Sequence, residues 1–82
     1  MDITLPEAAW EGTDAEVEAL LDRWQVKEGD VVRRGQPLAT AVLVKSSQDI
    51  EAPADGRVTH LLVGAGDTFR RGQPVATLEP GP

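Results

Sequence analysis

The sequence predicts an all-β domain: a flattened β-barrel of two antiparallel sheets, related by a pseudo-two-fold axis, with a lysine at a hairpin tip. Three observations predict it. The segment Gly29-Asp30-Val31-Val32-Arg33-Arg34-Gly35-Gln36-Pro37-Leu38-Ala39-Thr40 recurs as Gly66-Asp67-Thr68-Phe69-Arg70-Arg71-Gly72-Gln73-Pro74-Val75-Ala76-Thr77, at a constant offset of 37 residues. Short apolar, often β-branched runs alternate with Gly, Asp and Pro turn signals. The chain has 82 residues, enough for one small domain, and its aromatics are only Trp10, Trp24 and Phe69, so Val, Leu, Ile and Ala must build the core.

The elements follow in order. Ile3-Thr4-Leu5-Pro6 reads as a first strand that Pro6 ends. Residues 7–18 are rich in acid, Ala and Gly and contain Trp10, expected as core or lid. Thr13 and Glu16 have the spacing of a helix capping box, and Val17, Leu20, Leu21 and Trp24 fall at helical spacing. The repeat opposes a helix here. It pairs Leu21 with Val58, Trp24 with Leu61 and Val26 with Val63, and Arg57–Val63 is a β-branched run after the turn signal Asp55-Gly56. Residues 19–26 are therefore expected to be a strand, with any helical turn confined to about 12–17. Gly29-Asp30 and Gly66-Asp67 are expected turns, and Gly-Gln-Pro makes a second turn in each copy. Strands follow at Leu38–Val44 and Val75–Leu78. Two such units, each with an exposed apolar face, bury those faces against each other. The domain is taken as residues 1–79, with Pro80-Gly81-Pro82 a tail or the start of a linker.

Between the copies, strands at about 38–44 and 48–52 flank Lys45-Ser46-Ser47, so Lys45 is expected at a hairpin tip with its amine in solvent. Trp24 is expected in the core, His60 on a strand surface, and Asp30 and Asp67 as turn formers. The Arg33-Arg34 and Arg70-Arg71 pairs read as solvated turns, because no stacking platform or phosphate-binding loop accompanies them. There is no cysteine and one histidine, which excludes a disulfide, a thiolate zinc site or a two-histidine site. The net charge of −6 argues against nucleic acid and suits either solubility or docking on a basic groove. No run approaches a membrane span and the N-terminus has no signal-peptide pattern, so a cytoplasmic location is expected.

These residues resemble the biotin/lipoyl attachment domain family along nearly the whole chain. Trp24-Gln25-Val26-Lys27-Glu28-Gly29-Asp30-Val31-Val32 looks like the family's W-x-V-x-x-G-D-x-V segment, and Gly35-Gln36-Pro37-Leu38 like its G-x-x-L segment. Lys45 follows Gly35 by the family's ten residues, and Pro53, Gly56, Gly66, Asp67, Gly72 and Val75 follow in the family's order. The resemblance implies the barrel-sandwich hybrid fold and a covalent cofactor on Lys45. The implied cofactor is lipoic acid, with biotin as the alternative. A ligase would activate the acid as an acyl adenylate, and the Lys45 amine would attack it to form an amide.

The neighbours of Lys45 depart from both patterns. Val44 stands where lipoyl domains carry aspartate and Val42 where they carry glutamate, while Ser46 fits their small residue better than the methionine of biotinyl domains. Ile3-Thr4-Leu5-Pro6-Glu7 and Glu18–Trp24 lean towards lipoyl domains of acyltransferase subunits, with about four extra residues between Pro6 and Glu18. Gln48–Pro53 leans towards the biotinyl side. The implied function is a non-catalytic, monomeric lipoyl carrier, a swinging arm for acyl groups in a 2-oxo acid dehydrogenase-type complex. Its implied partners are a lipoate ligase, which with the complex would read Val44 and Ser46, and the decarboxylase, acyltransferase and dihydrolipoyl dehydrogenase components. A biotinyl carrier for carboxyl transfer and an unmodified binding or adaptor module are the alternatives. A free-standing enzyme lacks a nucleophile–base pair or metal cluster to support it.

Overall fold

The computed structural model describes residues 1–13, 16–44 and 46–81. Eight strands form two four-stranded antiparallel sheets. They are β1 (Asp2–Ile3), β2 (Glu18–Trp24), β3 (Val31–Val32), β4 (Pro37–Leu43), β5 (Ser46–Glu51), β6 (Gly56–Leu61), β7 (Thr68–Arg70) and β8 (Ala76–Pro80). One sheet has the order β1-β8-β6-β3 and the other β5-β4-β2-β7. Each sheet alternates buried and exposed residues along its strands, as expected when one face packs inward and the other meets water.

The sequence repeat is a structural repeat. It carries β2 onto β6, β3 onto β7 and β4 onto β8, and thus one sheet onto the other. Both sheets bulge at equivalent places, between Leu21 and Arg23 in β2 and between Val58 and His60 in β6. Ile3 lies opposite Ala76, and Ile50 lies opposite Ala39, the repeat mate of Ala76, so β1 and β5 take matching positions. The halves also exchange backbone bonds. The Gly29 N–H donates to the Val58 carbonyl at 2.7 Å, and the Gly66 N–H donates to the Leu21 carbonyl at 2.8 Å. Gly29 and Gly66 have φ of 94° and 92°, a region that favours glycine. Asp30 accepts from the Lys27 N–H at 2.9 Å and Asp67 from the Gly64 N–H at 3.3 Å, the turn-forming role expected of both.

The core lies between the sheets and is built mainly from aliphatic residues: Leu21, Leu38, Ile50, Val58, Val75 and Leu78 are fully buried. Each such side chain contributes about 1.5–3 kcal/mol relative to exposure. Trp10 joins them, 1% exposed, with its ring edge-on to Phe69 at a centroid distance of 6.0 Å. That geometry suits the aromatic quadrupoles. Its Nε1 is buried without a hydrogen-bond partner, a cost that the burial of the large ring offsets.

Trp10 also explains where the helical turn falls. The capping-box spacing places it in 12–17, but the structure has a 3₁₀ turn at Glu7–Trp10. Pro6 sets the entry with φ −57°, the Ala9 N–H donates to the Pro6 carbonyl at 3.0 Å, and the turn delivers Trp10 to the core. The Thr13 hydroxyl donates back to the Trp10 carbonyl at 2.5 Å instead of capping a helix. Residues 12, 13, 16 and 17 are not helical, and 14 and 15 lie outside the described residues. Residues 18–24 form β2, so the segment is extended as the repeat requires, but the strand expected over 19–26 ends at Trp24. Trp24 is half-buried rather than fully buried, because its ring N–H reaches out to the Val63 carbonyl at 2.8 Å. No helix of the described residues is long and apolar enough to cross a membrane.

Candidate functional site

The β4–β5 hairpin is the longest strand pairing in the molecule. Six residue pairs run from Pro37 opposite Glu51 to Leu43 opposite Ser46. Closure at Leu43 and Ser46 leaves two residues, Val44 and Lys45, to connect the strands. The expected site residue Lys45 lies outside the described residues, while both strands that lead to it are defined. The strands depart from the expected frame at the tip: β4 ends one residue earlier than expected and β5 begins two residues earlier. Ser46 and Ser47 belong to β5 rather than to the turn, and Val44 leaves β4.

Val44 has φ 58°, the one described residue other than glycine with a positive φ, and is 64% exposed. A two-residue hairpin connection prefers the left-handed region because it matches the twist of the strands. Valine enters that region at a steric cost, since its branched Cβ crowds the following carbonyl. The Ser46 hydroxyl donates to the Leu43 carbonyl at 3.2 Å and accepts from the Gln48 amide at 3.2 Å, which ties the base of the turn. Ser46 and Ser47 are exposed and small, so nothing bulky in β5 crowds the tip.

The surroundings are apolar on one face and acidic on the edge. Val42 lies opposite Leu20 on one side and Ser47 on the other, on the outer face of the β5-β4-β2-β7 sheet. Leu20 is exposed and Val42 half-buried, so with Val44 they form an apolar stripe leading to the tip. On the edge, Glu11 and Asp49 line a groove between the 3₁₀ turn and β5. The other side chains singled out in the sequence lie elsewhere. His60 is exposed on β6, with Nδ1 3.4 Å from the Thr77 hydroxyl. Arg33 and Arg34 are solvated, as expected, whereas Arg70 and Arg71 form exposed ion pairs with Glu18 (3.4 Å) and Glu7 (2.6 Å). Beside Glu7, the Arg71 guanidinium is held above its ordinary range by the hydrogen bond and charge of that carboxylate. Among the described residues no cluster of metal ligands forms.

Two contributions were missed in the sequence. Gln36 and Gln73 close the second turn of each copy, each accepting from an arginine N–H (Arg33 and Arg70) at 3.0 Å; their identical place in the repeat was the available signal. Ala8, Ala9 and Glu11 wall the groove beside the hairpin, and nothing local in the sequence marks them.

The Biotin_lipoyl family model, described as "Biotin-requiring enzyme", matches residues 2–78. The chain belongs to the biotin/lipoyl attachment family. It is thus a carrier-type domain of a family that covalently binds lipoic acid or biotin. No curated protein matches it. Among solved structures it is similar to the lipoyl domain of the 2-oxoglutarate dehydrogenase complex from Azotobacter vinelandii, with a TM-score of 0.77 and 24% identity over 99% of both chains. That likeness establishes the family's flattened barrel-sandwich fold in this chain.

Proposed function

We propose that this domain is a lipoyl carrier whose attachment residue is Lys45. The observation that carries the reading is the two-residue connection Val44-Lys45 at the end of the longest strand pairing, in a chain of the biotin/lipoyl attachment family. The residues present fit an amide-linked arm. A lysine acceptor needs reach and small neighbours, and exposed Val44, Ser46 and Ser47 provide the neighbours. Similarity to a lipoyl domain of the 2-oxoglutarate dehydrogenase complex supports lipoate over biotin.

The chain's own part is presentation. The rigid pairing of β4 with β5 fixes where the tip points, and Ser46 holds the base of the turn through the Leu43 carbonyl. Val44 and Ser46, on either side of the acceptor, are the residues a lipoate ligase would read. The Lys45 amine attacks the activated acid only when deprotonated, and the ligase supplies that environment. When bound, the lipoyl group supplies a dithiolane that accepts and passes on an acyl group. Tethering raises its effective concentration at the decarboxylase, acyltransferase and dihydrolipoyl dehydrogenase sites of a 2-oxo acid dehydrogenase-type complex in the cytoplasm. The domain is a monomer that performs no catalysis itself.

Coexpression with a lipoate ligase, followed by intact mass, tests the reading. The expected result is one lipoyl adduct that Lys45→Arg abolishes. No adduct, or an adduct surviving Lys45→Arg, overturns it. The family description names biotin, so coexpression with a biotin ligase and a streptavidin blot separates the biotinyl alternative. Absence of both adducts would leave the unmodified binding module.

A further inference from the structure

The edge of the hairpin has a binding geometry that attachment at Lys45 does not use. Among the described residues β5 is the only long edge strand: the other edges, β1, β3 and β7, have two or three residues each. β5 pairs with β4 on one side, and among the described residues no backbone hydrogen bond joins its other side to any segment. Antiparallel alternation therefore directs the N–H and C=O of every second residue of β5 away from the sheet.

This free edge is the wall of a groove. Near the tip, a cavity of about 560 Å³ lies between the 3₁₀ turn and Ser46, Gln48 and Asp49. Further along, a cavity of about 370 Å³ lies between the N-terminal segment and Asp49, Glu51 and Pro53. Pro6 and Asp49 border both, so the two form one seam along the whole of β5. Glu11, Asp49, Asp2 and Glu51 line it, and among the described residues no lysine or arginine does. Glu7 stands outside this set, already paired with Arg71.

We propose that this seam receives an extended, basic peptide segment of a partner protein, added as a further strand along β5. An extended segment satisfies the outward backbone groups, and alternate lysine or arginine side chains meet Asp49 and Glu51 on one wall and Asp2 on the other. The six residues of β5 define the footprint. One end of the seam lies at Ser46, beside the attachment position, so a segment seated there brings its parent protein to the hairpin tip. Docking in the seam is independent of any group on Lys45.

The test uses the isotopically labelled chain carrying Lys45→Arg, so that modification plays no part. A capped peptide of about eight residues, alternating lysine and valine, is titrated while amide chemical shifts are followed. The expected result is saturable shifts confined to residues 46–53 and 2–11, with slowed amide exchange in β5 and weakening as salt is raised. Asp49→Lys or Glu51→Lys, each checked for retained shift dispersion, weakens binding by about fivefold or more. A matching peptide with glutamate in place of lysine, or with a central proline, gives no such shifts. The proposal is overturned by an absence of saturable shifts, by shifts elsewhere, or by equal binding of the acidic peptide. It also fails if charge reversal causes self-association while peptide binding is unchanged, since the acids would then only protect the edge from pairing with itself.

Discussion

The Trp24 ring N–H donates to the carbonyl oxygen of Val63, 2.8 Å away and 39 residues along the chain. Val63 is the repeat mate of Val26, two residues beyond Trp24, so this bond stitches the first copy to the second. Trp24→Phe keeps most of the ring and removes the donor. It is expected to cost about 1 kcal/mol, seen as a fall in melting temperature of about 4–8 °C. An unchanged melting temperature would mean that water replaces the bond without loss.

Val44 makes the opposite prediction. Its φ of 58° stores strain of about 1–3 kcal/mol in a β-branched residue. Val44→Gly relieves it, less the added chain entropy of glycine, for a net gain of about 1 kcal/mol. The melting temperature should rise, and Val44→Asn should raise it as well, because asparagine tolerates the same region. Valine is thus a costly choice for stability at this turn, which makes its exposed side chain a candidate for selection by recognition.

Gly56 is constrained by contact rather than by φ. A Cβ there would overlap the carbonyl of Glu79 in the paired strand β8, and backbone cannot move aside as a flexible side chain does. Gly56→Ala should destabilise by about 3 kcal/mol. The expected signature is a lower urea midpoint with an unchanged slope.

The Glu7–Arg71 pair sets a pH expectation. Its guanidinium has a raised pKa, so the stabilisation it contributes is fully present below the ordinary arginine value and is lost only as pH rises through the raised one. From neutral pH to about pH 10, arginine stays charged whether the chain is folded or not. Melting curves of Glu7→Gln and the parent should therefore run parallel across that range. Divergence with rising pH would point to a different titrating partner.

The fold was legible because the two copies constrain each other. Local spacing favoured a helix through Leu20 and Leu21, but the mate of that segment, Val58 to Leu61, is unmistakably extended, and β2 follows the mate. The 3₁₀ turn was misplaced because its cause is not local. Trp10 is drawn in by Phe69, which is distant in sequence and packs against it only in the folded barrel. At the candidate site, the position of the hairpin was readable from the family spacing, with the strand ends displaced by one residue in β4 and two in β5. The left-handed backbone of Val44 was not, since valine is among the residues least expected there. The acidic seam was equally hidden, because the N-terminal segment that carries Asp2 and Glu11 comes to lie beside Asp49 and Glu51 only in the folded chain.

The two halves exchange β3 and β7. β2 and β4 lie in one sheet while β3 pairs in the other, and β7 makes the reverse crossing. Each half therefore lends a strand to its counterpart, which is the topology of a domain-swapped homodimer whose two chains have been fused. Two copies of residues 18–54 alone would rebuild both sheets, each in the order β5-β4-β2-β3, with β3 supplied by the other copy. The single chain is in this sense a tethered dimer. In the second half the place of the β4–β5 hairpin is taken by β8 paired with β1.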